Sequence, residues 1–498
     1  MLFNSLQFLV FFPVVVLAYY VMPAKLKNVW LLLASYYFYM CWSAKYALLM
    51  LVSTVVTWGF ALLTARAGSL RAKKWCVAGS FIINLAILFF FKYFNFAAGS
   101  LAALAGRLGV AFTPPHFSVL LPVGISFYTF QALGYTVDVY RGLKPEKNFL
   151  DYALFVSLFP QLVAGPIERT ANLLPQIKRV RSFDYLEARR GLLQMLWGLF
   201  QKLVIADRVA MLADTVFDDL GSYSFLQIGL VLLCFTVQIY CDFGGYSNIA
   251  IGAARVLGIR LMRNFDAPYF SYSIKDFWHR WHVSLSTWFR DYLYIPLGGS
   301  RRGKARTALN TMITFVLSGL WHGASWHYVA WGALHGAYQV IGLWTEPLRA
   351  KMRSALGLGD GRTLAGSSHR FAEALLMLWR RAWTFALCVF AWLFFRADSM
   401  GQVLLALRRF CIFDLWSLSG GRLFELGLDK ADMTVAACAL LVLLAVDLAG
   451  RRYDVGDLVE RQALPLRWIV YLLGIFAIIV LGIYGPQYEA AAFIYFQF

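Results

Sequence analysis

Three histidines lie in a long uncharged stretch of the sequence. His322, His327 and His335 fall within residues 307–344, which contain no Asp, Glu, Lys or Arg. One helix needs about 20 apolar residues to cross a hydrocarbon core, so this stretch is nearly two membrane spans. An ionisable side chain is costly at that depth and by default suggests a functional site. His322, about where the first span should end, is the leading candidate; a histidine that hydrogen-bonds a neighbouring helix is the alternative.

A second pair of histidines lies just upstream, in the basic segment 275–304. Read as one helix, this segment places His282 on an apolar face together with Trp278, Leu285 and Phe289. We therefore expect His282 to point into apolar material and His279 to point toward water or headgroups. An amphipathic interfacial helix is the alternative interpretation. Because no acid or cysteine clearly completes the His-x-x-His pattern, we expect no metal site.

The composition of the chain is that of a membrane protein. Of its 498 residues, 60% are hydrophobic and only 15% are charged, whereas soluble domains contain about 45–50% apolar and about 25% charged residues. The net charge of +19 falls mostly in short loops between apolar runs, which is the positive-inside pattern and favours anionic lipid over nucleic acid. The seven cysteines are scattered without a CxxC pair, so neither a disulfide framework nor a zinc site is indicated.

Apolar runs predict an all-α polytopic membrane protein with roughly ten to twelve spans. The runs are most regular in residues 1–95 and again in residues 382–498, and the polar, basic residues 351–381 look like a linker. Counting lysines and arginines places Lys25, Lys27 and the cluster at residues 66–74 in the cytoplasm. The N-terminus should then lie on the outer side of the membrane.

The central part of the chain, residues 114–344, breaks this regular pattern. Prolines and glycines interrupt the apolar stretches 121–142 and 158–169. Such breaks free backbone polar groups, which are tolerated at membrane depth only inside protein or beside a wet cavity. We expect short, tilted or re-entrant pieces that line a cavity. Asp242 stands alone among apolar residues in the stretch 240–252, beside two glycines.

Three motifs in this central part resemble the membrane-bound O-acyltransferase family. They are residues 276–282, 290–299 and 319–323, and residues 121–142, 160–169 and 240–252 add to the similarity. They are most similar to the bacterial branch that O-acetylates extracellular polysaccharides, alginate first among them. The resemblance runs along the whole chain, as one domain over residues 1–498, although Asn248 stands where relatives often have an acid.

The resemblance implies a ring of tilted helices with re-entrant segments around a thinned central catalytic tunnel. It makes His322 the catalytic histidine, makes His282 the second one, and leaves Asp242 a candidate substrate-binding residue. Trp321 would line the tunnel or donate its indole N–H. A cytoplasmic donor such as acetyl-CoA is implied, with no permanently bound cofactor. Basic residues suited to the phosphates of that donor are Arg280, Arg290, Arg301, Arg302 and Lys304, although positive-inside charge explains them equally well.

The implied function is acetyl transfer from that donor across the bacterial inner membrane, for O-acetylation of an exopolysaccharide with periplasmic acetyltransferase partners. Other polymers, such as cellulose or peptidoglycan, stay open. A transporter or flippase with an intramembrane histidine relay is a second interpretation, but two-fold halves and acids within spans are not clear. A scaffold for a polysaccharide synthase is a third, for which buried histidines would be unnecessary.

The last six residues, 493–498, are aromatic and carry one hydroxyl, on Tyr495. Packing against helices or lipid, with the tyrosine at the interface, is one interpretation. Similar acylation systems end a membrane chain in an aromatic motif around one tyrosine, which implies another. On that interpretation Tyr495 is a third catalytic residue, which accepts the acetyl group and presents it to a periplasmic transferase.

Overall fold

The chain is helical, without a strand, throughout the residues that its computed structural model describes, which are 1–118, 120–163, 165–355 and 370–484. Its α-helices, in chain order, are α1 (Leu6–Val21), α2 (Ala24–Met40), α3 (Ala44–Arg66), α4 (Leu70–Leu88), α5 (Phe94–Arg107), α6 (Ile125–Tyr140), α7 (Phe149–Ser157), α8 (Phe159–Leu162), α9 (Thr170–Ile177), α10 (Tyr185–Leu199), α11 (Asp207–Asp218), α12 (Phe225–Val256), α13 (Ile274–Arg280), α14 (Val283–Phe289), α15 (Gly303–His322), α16 (Trp326–Ala355), α17 (Arg370–Arg396), α18 (Met400–Arg409), α19 (Lys430–Gly450), α20 (Val455–Glu460) and α21 (Leu464–Leu481).

Two compact units account for the described residues. The first contains Met1–Phe200 and Gly245–Arg263, and the second contains Gln201–Gly244 and the described residues from Asn264 onward. Helix α12 contributes its first part to the second unit and its last part to the first. The histidines singled out in the sequence all lie in the second unit.

Six helical segments of the described residues are long and apolar enough to cross a membrane. They are Ala44–Arg66, Leu70–Arg107, Phe225–Val256, Phe371–Arg396, Lys430–Gly450 and Leu464–Leu481, and the shorter α1 is also apolar. The segment Leu70–Arg107 joins α4 and α5 through a π-helical turn, Phe89–Tyr93. These segments confirm an all-α polytopic membrane protein, while the total of ten to twelve spans stays a prediction.

The two interrupted stretches of the first unit differ in the structure. The stretch 158–169 contains only the four-residue helix α8, as predicted, with the short helices α7 and α9 on either side. The stretch 121–142 instead forms α6, a helix of 16 residues, so the prediction of short pieces was wrong there, because its first proline and glycine precede the helix. Gly124, before α6, adopts a φ of +72°, and a Cβ added there would lie 2.7 Å from the carbonyl oxygen of Leu162. Phe127 and Gln131 of one stretch and Gln161 and Ile167 of the other line one narrow cleft. Glycine is therefore needed where the two stretches meet.

The expected linker at residues 351–381 is largely helical where the structure describes it. Residues 351–355 extend α16, and residues 370–381 form the start of α17. Apolar residues recur there at helical spacing between the arginines, at positions 371, 375, 378 and 379. The prediction was wrong because arginine stems pack along apolar surface while their charged ends reach water, so a helix tolerates them near a membrane boundary.

Glycines bring α15 and α16 into close contact in the second unit. A Cβ on Gly319 would lie 2.2 Å from the carbonyl oxygen of Tyr328, and one on Gly332 would lie 2.2 Å from that of Phe315. Small residues of this kind let two membrane helices approach backbone to backbone. Because α15 ends at His322 and α16 begins at Trp326, this contact holds His322 at the turn between paired helices, where the sequence placed it.

Replacing one of these glycines should separate the two helices. We expect Gly332→Ala to lower the midpoint of thermal unfolding of the detergent-solubilised protein by several degrees, because the added methyl overpacks the contact at a cost of about 1–3 kcal/mol. Gly342→Ala on the same helix is the matched control, since nothing lies within 4 Å of its added Cβ. Equal unfolding midpoints for the two variants would contradict the packing described.

Candidate active site

A sharp turn, not a helix face, directs His282 inward. Helix α13 ends at Arg280 and α14 begins at Val283, and His282 between them has a φ of +42°. The left-handed region is uncommon for a residue with a side chain. The prediction of one continuous helix was therefore wrong, because helical spacing does not carry across this turn. The exposures it predicted are nevertheless confirmed: His282 is fully buried and His279 is exposed.

Asn264 holds the turn and orients the His282 ring. The backbone N–H of Val283 donates to the carbonyl oxygen of Asn264 at 2.9 Å, and the Ser284 hydroxyl donates to Asn264 Oδ1 at 2.7 Å. His282 Nδ1 lies 3.2 Å from the same Oδ1. Because an amide oxygen only accepts hydrogen bonds, Nδ1 carries the proton in this contact, and Nε2 keeps the lone pair of the neutral ring.

The surroundings of His282 are aromatic. Its ring makes T-shaped contacts with Phe243 and Trp321. The ring centroids are 4.6 Å apart in the first contact and 6.3 Å apart in the second. His282 lies outside the helices long enough to span a membrane, and burial lowers its pKa to about 3. Desolvation penalises the charged imidazolium, so the ring stays neutral at physiological pH and can accept a proton or a hydrogen bond.

His322 lies in an aromatic enclosure at the end of α15. It is 3% exposed, and its ring centroid is 5.0 Å from those of Trp321 and Trp331 and 5.3 Å from that of Phe395. Trp321 thus contacts both His322 and His282. The structure therefore places two histidines that are 40 residues apart in the sequence in contact with one shared indole.

Asp242 has an ionic partner that we did not predict. Lys202 Nζ lies 2.6 Å from Asp242 Oδ1 and 2.7 Å from Asp207 Oδ1, and all three side chains are buried. The acid that stands alone in its sequence stretch is therefore paired with a lysine in the fold. Its signal was a single lysine within the apolar run 191–211, in which the structure has a π-helical turn, Phe200–Ala206. Phe243, next to Asp242 in α12, is the residue that contacts His282.

Two of the candidate arginines, Arg280 and Arg290, form ion pairs with acids of their own segment. Arg280 Nε lies 3.0 Å from Asp276 Oδ1, and its guanidinium also donates to the carbonyl oxygen of Asp266 at 3.3 Å. Arg290 is more exposed and lies 2.8 Å from Asp291 Oδ1. Tyr495 lies outside the described residues.

The residues that the sequence did not reveal share one property. They contact the histidines or Asp242 although they are distant from them in the sequence or carry no recognisable pattern. These residues are Asn264, Lys202, Phe243 and Trp331. His327 forms a hydrogen bond between helices, since its Nδ1 donates to the carbonyl oxygen of Phe394 at 2.9 Å. A lone lysine in an apolar run was the one usable signal.

Comparisons with known proteins point to one family. The sequence profile of MBOAT, the membrane-bound O-acyltransferase family, matches residues 146–355, which include both His282 and His322. "Probable alginate O-acetylase AlgI" of Pseudomonas putida is 38% identical over 90% of this chain and 87% of its own length. "Peptidoglycan O-acetyltransferase" of Helicobacter pylori is 35% identical, over 82% and 79% of the two chains.

A more distant similarity covers less of the chain. "Teichoic acid D-alanyltransferase" of Bacillus subtilis is 29% identical over 45% of this chain and 58% of its own length. The similarity to the P. putida protein, by contrast, extends over nearly the full length of both proteins. On that evidence, with the profile match over the segment that holds the two buried histidines, the chain belongs to the membrane-bound O-acyltransferase family.

Proposed function

We propose that this protein moves acetyl groups from cytoplasmic acetyl-CoA across the bacterial inner membrane for the O-acetylation of an extracellular polysaccharide. The observation that carries the proposal is the pair His322 and His282, both buried and both against the indole of Trp321. The name of the relative from P. putida favours alginate as the polymer. The name of the H. pylori relative supports peptidoglycan as the second candidate.

His322 is the general base of the proposed reaction. An attacking hydroxyl loses its proton to the ring as its oxygen bonds to the thioester carbonyl carbon. The carbon–sulfur bond then breaks, and the same proton goes to the sulfur of the leaving CoA. His282, with Nδ1–H held by Asn264, presents Nε2 as an acceptor that orients the hydroxyl. Trp321, in contact with both rings, would keep water out and so favour transfer over hydrolysis.

Arg280 and Arg290 are proposed to bind the phosphates of the donor. An exposed ion pair is worth only about 0–1 kcal/mol, so a phosphate can replace Asp291 as the partner of Arg290. Arg280 is held more firmly, and it would add charge without leaving Asp276. Asp242 stays a proposed substrate-binding residue, and a substrate would share it with Lys202.

We place the protein in the inner membrane with its N-terminus in the periplasm, on the basis of the basic clusters at residues 25–27 and 66–74. Polymer acetylation outside the cell then needs a periplasmic acetyltransferase that takes over the acetyl group. That transferase is the partner that the proposal requires.

The histidine assignments are testable with one matched control. His322→Gln should reduce polymer O-acetyl content at least about 100-fold, because general base catalysis contributes about 10²–10⁴-fold. His282→Gln should reduce it up to about 100-fold, because a misplaced reacting group can cost about 10² in rate. His279→Gln, three residues from His282 but exposed, should leave acetylation near normal. O-acetyl content and membrane abundance are measured together; normal acetylation by His322→Gln at normal abundance would refute its role.

Tyr495 is proposed to carry the acetyl group between donor and transferase. Its phenol oxygen would attack the thioester, forming a phenyl ester while CoA leaves with the phenol proton. The ester then passes its acetyl to the periplasmic transferase, and the phenol recovers a proton. A phenol, with a pKa of about 10, is a better leaving group than an alkoxide. Sequence and family resemblance support this step.

Removing the hydroxyl oxygen of Tyr495 tests its proposed role as the acetyl carrier. Tyr495→Phe should abolish polymer acetylation, and a C-terminal peptide heavier by one acetyl, about 42 Da, should appear in the wild type alone. Tyr484→Phe is the control, since its exposed hydroxyl contacts the backbone at the end of α21. If Tyr495→Phe acetylates polymer normally, Tyr495 is no carrier.

A further inference from the structure

A third histidine, His335, is fully buried at the meeting point of four helices. Aromatic rings from α13, α15, α16 and α17 surround it, and these belong to Phe277, Trp278, Phe315, Trp331, Tyr338 and Trp392. Packing alone needs no histidine at such a position, because a leucine or phenylalanine would fill it at a lower desolvation cost. The imidazole therefore calls for an explanation.

One hydrogen bond defines the state of this ring. Trp278 Nε1 lies 3.3 Å from His335 Nδ1. Indole nitrogen is a donor only, so Nδ1 must be the acceptor and the proton of the neutral ring lies on Nε2. Among the described residues Nε2 has no hydrogen-bond partner, so the bond from Trp278 is what orients the ring. His335 thus has the opposite tautomer to His282.

This hydrogen bond joins the two parts of the candidate active site. Trp278 lies on α13, the helix that leads into the turn at His282, whereas His335 lies on α16. Trp331 lies between His335 and His322, with ring centroids 5.0 Å from each. A shift of Trp278 would move α13 relative to α16, and with it the distance between the two candidate catalytic rings.

We propose that His335 is a positioning residue for acyl transfer: by accepting the Trp278 N–H, it fixes the His282 segment against the helix pair that carries His322. The proposal rests on the acetyl transfer proposed above. His335 touches neither substrate nor donor in this account. Its contribution is geometric, since misplacing a reacting group by about 1 Å can cost about 10²-fold in rate.

Three substitutions separate the hydrogen bond from the packing. Asparagine places its Oδ1 near the position of the Nδ1 atom, so His335→Asn keeps an acceptor for Trp278. His335→Leu fills a similar volume without an acceptor, and Trp278→Phe removes the donor. Trp344→Phe, an exposed tryptophan on the same helix as His335, controls for the loss of an indole.

The kinetic experiment uses the full chain in nanodiscs, with acetyl-CoA as donor and an oligosaccharide with periplasmic extract as acceptor. His335→Leu and Trp278→Phe should each lower kcat about tenfold or more, with KM for acetyl-CoA changed less than about threefold. His335→Asn and Trp344→Phe should stay within about threefold of the wild type. The double variant Trp278→Phe/His335→Leu should be no slower than either single variant, because both remove one interaction.

A spectroscopic readout separates this proposal from the proposed function. With seven histidines in the chain, ¹⁵N-histidine NMR can resolve the His335 ring, assigned through His335→Asn. The wild type should show the proton on Nε2, and Trp278→Phe should shift the Nδ1 signal. A proton on Nδ1 of His335 would overturn the proposal even if acetyl transfer is normal. Equal activities of His335→Leu and His335→Asn would overturn it as well. Absence of transfer in the wild type, with the expected tautomer, would instead refute the proposed function.

Discussion

A histidine inside a membrane protein needs a fixed partner from the protein itself, because lipid supplies neither donors nor acceptors. For two of the buried histidines this partner is a hydrogen-bonding side chain. Asn264 binds His282 within a left-handed turn, and Trp278 donates to His335. His322 is placed by the glycine contact between α15 and α16. The helices around the site therefore serve mainly to position these three imidazole rings.

Aromatic rings and one buried ion cluster supply the rest of the framework. The rings exclude water from the histidines, which keeps His282 neutral. The cluster of Lys202, Asp207 and Asp242 fixes α12 near the point where Phe243 meets His282. Breaking such a pair leaves a buried charge without compensation, at a typical cost of about 3–5 kcal/mol, so the cluster specifies one arrangement of these helices.

Local patterns in the sequence predicted those features of the structure that depend on residues close together in the chain. Hydropathy located the spans, and the uncharged stretch located His322 at the end of α15. Periodicity failed at His282, since a left-handed turn interrupts the helix that the spacing assumed. Periodicity also could not predict the contact of Asn264 with His282, 18 positions away, or that of Lys202 with Asp242, 40 positions away. Such pairings arise from tertiary packing, which overrides local propensity.

The central claim, that acetyl crosses the membrane while CoA does not, is tested most directly in sealed proteoliposomes. Acetyl-CoA labelled in its acetyl group is supplied on the cytoplasmic face, and an oligosaccharide acceptor with periplasmic extract is sealed inside. The account predicts labelled ester on the enclosed acceptor and an equal amount of CoA thiol outside. Labelled acetate and CoA that both remain outside, with an unmodified acceptor, would contradict it.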